Sequence, residues 1–264
     1  MYPFKYHKAA TVRGAVGLLK KGEDAKVLAG GQTLIPTMKQ RLASPQAIID
    51  LSGAGLSGIE QKGRTIVIGA MTTHAEVANS PIVQQAIPAL ASLAGHIGDP
   101  QVRHRGTIGG SVANNDPAAD YPAALLALGA VVHTNKRKLA ADEFFAGLFS
   151  TALDEDEIIT KIAFPAPGKA AYVKFPNPAS RYALVGVFVA KKGRSVRVAV
   201  TGAGNDGVFR HAGMEEALAK RFNAKSLEGI KTEPSDLNGD IHASAEYRAH
   251  LIGVMARRAV AAAA

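Results

Sequence analysis

Near the N-terminus the apolar residues Val12, Ala15, Val16, Leu18 and Leu19 recur at the three-and-four spacing of one helix face, and Gly22 ends the pattern. The short apolar run Ala25–Ala29 has the character of a buried strand and leads straight into Gly30-Gly31. Thr33 to Leu42 reads as a helix with Pro36 in its first turn, where a missing N–H is harmless. Ala47–Asp50 reads as a second strand, so a β-α-β-like unit closing near Asp50 is expected. Beyond it, Gly58–Gln61 and Thr65–Gly69 flank the turn Lys62-Gly63 as two strands, and helices are expected over Thr72–Ala78 and Gln84–Ile97. The periodicity then fails. Gly98 to Pro122 is rich in Gly, Asn, Asp and Pro and too long for a simple connector, and long loops inside compact domains are usually functional.

Apolar patterning resumes as a helix over Ala123–Ala127 and strands over Ala130–Thr134 and Glu157–Phe164. Pro165–Gly168 is the best linker. After it, Ala171–Phe175, Ala183–Ala190 and Ser195–Thr201 read as strands, the last two joined as a hairpin through Lys192-Gly193. Helices over Met214–Phe222 and Ala245–Ala261 complete a C-terminal lobe expected to be an antiparallel sheet backed by helices. The chain divides on this reading into 1–55, 56–167 and 168–264.

Composition narrows the chemistry. A chain of 264 residues, 47% hydrophobic and 20% charged, can bury a core without staples. It has no cysteine, which excludes disulfides, thiolate zinc sites and Cys-ligated iron–sulfur clusters. Any redox chemistry therefore needs an organic cofactor or a partner. The net charge of +9 is scattered in short groups such as Lys136–Lys138, Lys191-Lys192 and Arg257-Arg258, and the chain has no Trp and only 6% aromatics. A base-stacking surface is not expected, nor is nucleic-acid binding. The N-terminal stretch lacks an apolar core of signal-peptide length, and no segment reaches the ~20 apolar residues of a membrane span. A cytoplasmic protein is expected, unless a partner's signal exports it to the periplasm.

Two segments carry candidate chemistry. Ala29-Gly-Gly-Gln-Thr-Leu34 lies between a strand and a helix, where glycines let backbone approach an anion and the helix start adds a positive dipole end. Thr107-Ile-Gly-Gly-Ser111 places two further glycines between hydroxyl residues, and Asp116 and Asp120 follow as acceptors for sugar hydroxyls. Two such cradles in different lobes suggest a pyrophosphate clamped between them. Gly202-Ala-Gly204-Asn-Asp-Gly207 spells the dinucleotide fingerprint but opens no helix directly, so a sheet turn is expected there. His74, His96 and His104 show no metal-ligand spacing and read as surface or hydrogen-bonding residues. No Ser/His/Asp triad stands out.

The segments AGGQTLIPTMKQR and QVRHRGTIGGSVANNDPAADYPAALLALGA, with the opening PFKYHKAATVRGAV and the later YVKFPNPASRYALVGVFVA, resemble the FAD-binding medium subunits of molybdenum hydroxylases, the carbon monoxide dehydrogenase and xanthine dehydrogenase family. The likeness covers nearly the whole chain. It implies an α+β architecture: a two-lobed FAD-binding fold of the vanillyl-alcohol-oxidase and p-cresol-methylhydroxylase type, plus a C-terminal antiparallel-sheet-and-helix lobe. By matching positions it implies that Ala29, Gly30, Gly31, Gln32, Thr33 and Leu34 bind the pyrophosphate side, completed by Thr107, Gly109, Gly110 and Ser111. Asp120 and Asp116 would contact the cofactor, Lys174 would lie beside the flavin and Tyr182 would cover its ring. The resemblance further implies non-covalent FAD, with molybdopterin on a large partner subunit and 2Fe-2S clusters on a small one, in an (αβγ)2 assembly. The chain departs from many relatives in having Gln32-Thr33 for His-Ser, and Pro176 and Pro178 in a stretch that is often Arg-rich. A stand-alone flavin reductase or oxidase of the same wider fold, and a non-enzymatic basic scaffold, are the alternatives.

Overall fold

The computed structural model describes residues 1–22 and 24–263. Its first layer is a three-stranded parallel sheet with Ala47–Asp50 in the centre, flanked by Lys5–Lys8 and Ala25–Leu28. Parallel neighbours need crossover connections, and the chain supplies them as the helices Val12–Lys21 and Leu34–Lys39. Thr11 starts the first by accepting from the Gly14 N–H, and its inward face buries Ala15 against Ile49 and Leu51.

The second layer is a five-stranded antiparallel sheet in the order Ile59–Lys62, Thr65–Gly69, Ile159–Pro165, Val131–Thr134, Lys138–Ala140. Ile66, Ile68, Ile162 and Phe164 face a core shared with the helices Pro88–Gly95 and Tyr121–Leu128. The third is a four-stranded antiparallel sheet, Lys169–Pro176, Ala183–Lys192, Ser195–Gly204 and Gly207–Arg210. Its second strand is buried from Ala183 to Ala190 because both faces are covered. Val185, Val187 and Val189 meet the helix Ala245–Ala262, whereas Phe188 and Ala190 join the core of the second layer.

Three expectations change. The helix foreseen over Gln84–Ile97 is two helices, Pro81–Ala86 and Pro88–Gly95. Pro88 lacks an N–H and disfavours helical geometry at the preceding residue, and Ile87 accordingly sits at φ −143°, ψ 69°. Gly98–Pro122 is no open loop, because it contains the helices Pro100–Arg105 and Ile108–Asn114, capped by the side chains of Asp99 and Thr107. The strands Lys5–Lys8, Lys138–Ala140 and Gly207–Arg210 are too short to show a period. Gly204 and Gly207 pair across a hairpin turn, and the next helix, Ala212–Lys220, begins only after Gly207–Arg210, so the dinucleotide-like spelling is a sheet turn as expected.

Among the described residues no helix is long and apolar enough to cross a membrane, and no group of three or more His, Asp or Glu is placed to hold a metal.

Candidate functional site

A cleft of about 640 Å³ opens between the parallel sheet and the five-stranded sheet, with the C-terminal lobe reaching it through Ser180–Tyr182. Ligand sites commonly fall between roughly 300 and 1,000 Å³. All the candidate residues except Lys174 line it.

The first glycine pair stands at the end of the strand Ala25–Leu28, where the chain must turn into the helix Leu34–Lys39. A Cβ on Gly30 would lie 2.0 Å from the Arg105 carbonyl oxygen. The Gly30 turn therefore abuts the end of the helix Pro100–Arg105 backbone to backbone, which brings the two glycine segments together. Gly31 has φ +75°, in the region that favours glycine. The N–H groups of Gly31, Gln32, Thr33 and Leu34 make no hydrogen bond to any described residue, and neither do the side chains of Gln32 and Thr33. A run of unpartnered donors beside a cleft suits an anion.

The second pair works differently. The Gly109 N–H donates to the Ala70 carbonyl at 2.9 Å, the Gly110 N–H to Thr107 Oγ1 at 3.1 Å and the Ile108 N–H to the Thr72 carbonyl at 3.0 Å. These donors are occupied inside the protein, so this segment does not cradle a phosphate by free N–H groups as the first one can. Gly109 is small because a Cβ there would come within 2.6 Å of the Ala70 Cβ. Its work is to seat the helix Ile108–Asn114 against the strand end, which leaves the Ser111 hydroxyl, unbonded to any described residue, at the cleft wall.

Asp116 receives the Ala118 N–H at 2.9 Å, and burial pushes its carboxyl up. Asp120 is 5% exposed and lies against Lys174, whose Nζ is 3.1 Å from one carboxylate oxygen and also donates to the His96 carbonyl at 2.8 Å. The Tyr172 hydroxyl donates to Asp120 as well. Burial pushes the Asp120 carboxyl up, and the Lys174 ammonium and Tyr172 hydroxyl pull against it. Lys174 thus stands behind the lining as the partner of Asp120. Tyr182 does line the cleft and is half exposed.

Among the lining residues that sequence reasoning missed, two stand out. His74 is buried rather than on the surface: it is 4% exposed, lines the cleft, and its Nδ1 has no partner. Burial, then the charge of Arg103, pushes its pKa down to about 4. The signal was faint, a lone His after Thr72-Thr73. His96 and His104 are exposed and bond carbonyls one turn back, as expected. Phe149 is the other, in the short stretch 144–151 for which the sequence offered no element.

The family profile described as "FAD binding domain in molybdopterin dehydrogenase" matches residues 2–167. The carbon monoxide dehydrogenase medium chain of Hydrogenophaga pseudoflava is 39% identical over 98% of this chain and 96% of its own length. The chain belongs to the FAD-binding medium subunits of molybdenum hydroxylases. The nicotine 6-hydroxylase medium subunit of Paenarthrobacter nicotinovorans is 37% identical, covering 97% of this chain and 95% of that one. Reconstituted CO dehydrogenase from Oligotropha carboxidovorans superposes with a TM-score of 0.90 at 35% identity, over 100% of this chain and 99% of the other. As a member of this family the chain is an oxidoreductase subunit whose cofactor is FAD, and the unpartnered donors at Gly31–Leu34 fit such a group.

Proposed function

We infer that this chain is the FAD-holding electron-relay subunit of a multi-subunit molybdenum hydroxylase. The observation that carries the reading is the cleft between two lobes, with a run of free N–H groups on one wall and the buried Asp120 and half-buried Asp116 carboxyls on another. Ala29–Leu34 would hold the pyrophosphate through the backbone N–H groups of Gly31–Leu34 and the Gln32 and Thr33 side chains. Thr107, Gly109, Gly110 and Ser111 would complete that wall, Ser111 by its hydroxyl and the others by seating the helix close to the ligand. Asp116 and Asp120 would accept from sugar hydroxyls, Lys174 would hold Asp120 in place, and Tyr182 would cover the ring. When bound, FAD supplies the redox chemistry, between 2Fe-2S clusters of a small partner subunit and an external acceptor, the substrate being hydroxylated at molybdopterin on a large partner subunit. The protein's part is binding, orientation and exclusion of water, and no acid or base on this chain is assigned a catalytic role. The lack of cysteine supports placing the clusters on another chain. An (αβγ)2 assembly in the cytoplasm, or in the periplasm if a partner carries it there, and lobes at 1–55, 56–167 and 168–264 complete the proposal.

The test is reconstitution. The purified chain should carry FAD released by acid and turn over no aldehyde, purine, N-heteroaromatic or carbon monoxide alone with a dye acceptor. Turnover should appear when its large and small partners are added. Turnover by the isolated chain would instead establish a stand-alone flavoenzyme, and a chain that refuses FAD would be a scaffold.

A further inference from the structure

Phe149 holds a conformation that bulky side chains rarely adopt. Its φ is +52°, in the left-handed region. It is also 60% exposed, so core packing does not account for the ring. A turn alone would be better served by glycine. Phe149 stands at the tip of the hairpin formed by Phe145–Gly147 and Ser150–Thr151, and its side lines the cleft.

The tip is fastened from below. Asn115, 3% exposed and itself at φ +44°, donates from Nδ2 to the carbonyls of Gly147 and Ser150, both at 2.8 Å. Its own carbonyl receives the Phe149 N–H at 3.1 Å. A buried amide that serves as the left-handed C-cap of the helix Ile108–Asn114 thus anchors an exposed aromatic whose own left-handed backbone is rare. Asn115 directly precedes Asp116, so Phe149 lies at the Asp116 end of the cleft.

Tyr182 reaches the same end from the C-terminal lobe. Burial and then the charge of Asp116 push its hydroxyl up, which places the two near each other. The residue before it, Arg181, lines the cleft with φ +62°. Three of the five non-glycine residues with positive φ among the described residues therefore lie at this end. Strained residues persist where surrounding structure over-determines them, and they gather at ligand clamps.

We propose that Phe149 contacts the cofactor: the Asn115-anchored hairpin presents its ring, alongside Tyr182, as a second aromatic wall against the flavin of FAD. The inference rests on the FAD reading of the cleft and on Tyr182 lying over the ring. Stacking on a planar heteroaromatic buries a ring that is otherwise exposed, and this offsets the left-handed backbone. Leu148, also exposed, points to the one competing use of the tip, contact with a partner subunit.

The test compares the full-length chain with Phe149→Gly, Phe149→Leu and Asn115→Gly by FAD titration, the visible flavin band at saturation, and the thermal midpoint of the FAD-free protein. Phe149→Gly should leave that midpoint unchanged or raise it while weakening FAD about tenfold and altering the flavin band. Phe149→Leu, which keeps the strain but not the ring, should lose affinity without gaining stability. Asn115→Gly, which keeps the backbone but frees the tip, should lose less. If Phe149→Gly does not fold, Phe149→Leu decides by the same readouts. Unchanged FAD affinity and an unchanged flavin band in a variant whose parent binds FAD would overturn the proposal alone, and weakened assembly with partner subunits would then assign the tip to them. A parent chain that takes up no FAD would overturn both this proposal and the reading of the cleft.

Discussion

Burial beside Arg103 leaves His74 neutral at pH 7, with its imidazole pushed down to about 4 from an ordinary 6.5. Between those values the unfolded chain binds a proton that the folded chain does not. Stability from the neutral ring is therefore full above about pH 6.5 and is lost as the pH falls toward 4. At one pKa unit to 1.36 kcal/mol, the loss by pH 4 is roughly 3 kcal/mol. Thermal midpoints measured from pH 7 to 4 should fall less steeply in His74→Gln than in the parent, and parallel curves would remove the assignment. At this scale the residue types in the cradle were legible, but their jobs were not. Gly30 and Gly109 are small because protein backbone or side chain lies against them, not because a ligand does.

At the scale of elements, the helix Ile108–Asn114 begins inside what the pattern showed as a loop. Glycines at its second and third positions lower its propensity, and its stability comes instead from the Thr107 cap and from packing of Ile108 and Val112. Thr107→Val keeps the volume but removes the oxygen that receives the Gly110 N–H. It should cost about 1 kcal/mol, read as a lower thermal midpoint, while Thr107→Ser should stay near the parent. An equal midpoint for Thr107→Val would mean packing alone holds this helix. Long periodic segments such as Val12–Lys21 and Ala245–Ala262 were legible to within about two residues. The short strands Lys5–Lys8, Lys138–Ala140 and Gly207–Arg210 were not, because they lack the apolar run that marked the equally short Ala25–Leu28 and Ala47–Asp50.

Across the whole molecule, the pair Lys174–Asp120 with Tyr172 ties the C-terminal sheet to the helical layer behind the cleft. Lys174 and Asp120 side chains are 7% and 5% exposed, so removing one partner leaves a buried charge. Lys174→Met should cost on the order of 3–5 kcal/mol at neutral pH. The loss should shrink as the pH falls, since Asp120, already pushed up by burial, then takes a proton. Denaturant midpoints at pH 7 and 5 would show this, and restoration by the double variant Asp120→Asn/Lys174→Met would attribute it to the pair. The Lys174 Nζ is engaged by Asp120 and the His96 carbonyl, partners 54 and 78 positions away that no local motif names.

The sequence by itself determined the family, the order of the main elements, the sheet-and-helix character of the C-terminal lobe and the absence of any cysteine-based redox centre. These follow from local periodicity, composition and long ordered motifs, all of which are written along the chain. Only the tertiary structure decided which donors face the cleft. Gly31–Leu34 keep their N–H groups free while Ile108–Gly110 lose theirs to Thr72, Ala70 and Thr107. It also decided that His74 is buried and that Asn115 holds Phe149 over the cleft. Those facts depend on partners between three and 39 positions apart, and no local pattern records which distant carbonyl a given N–H will meet.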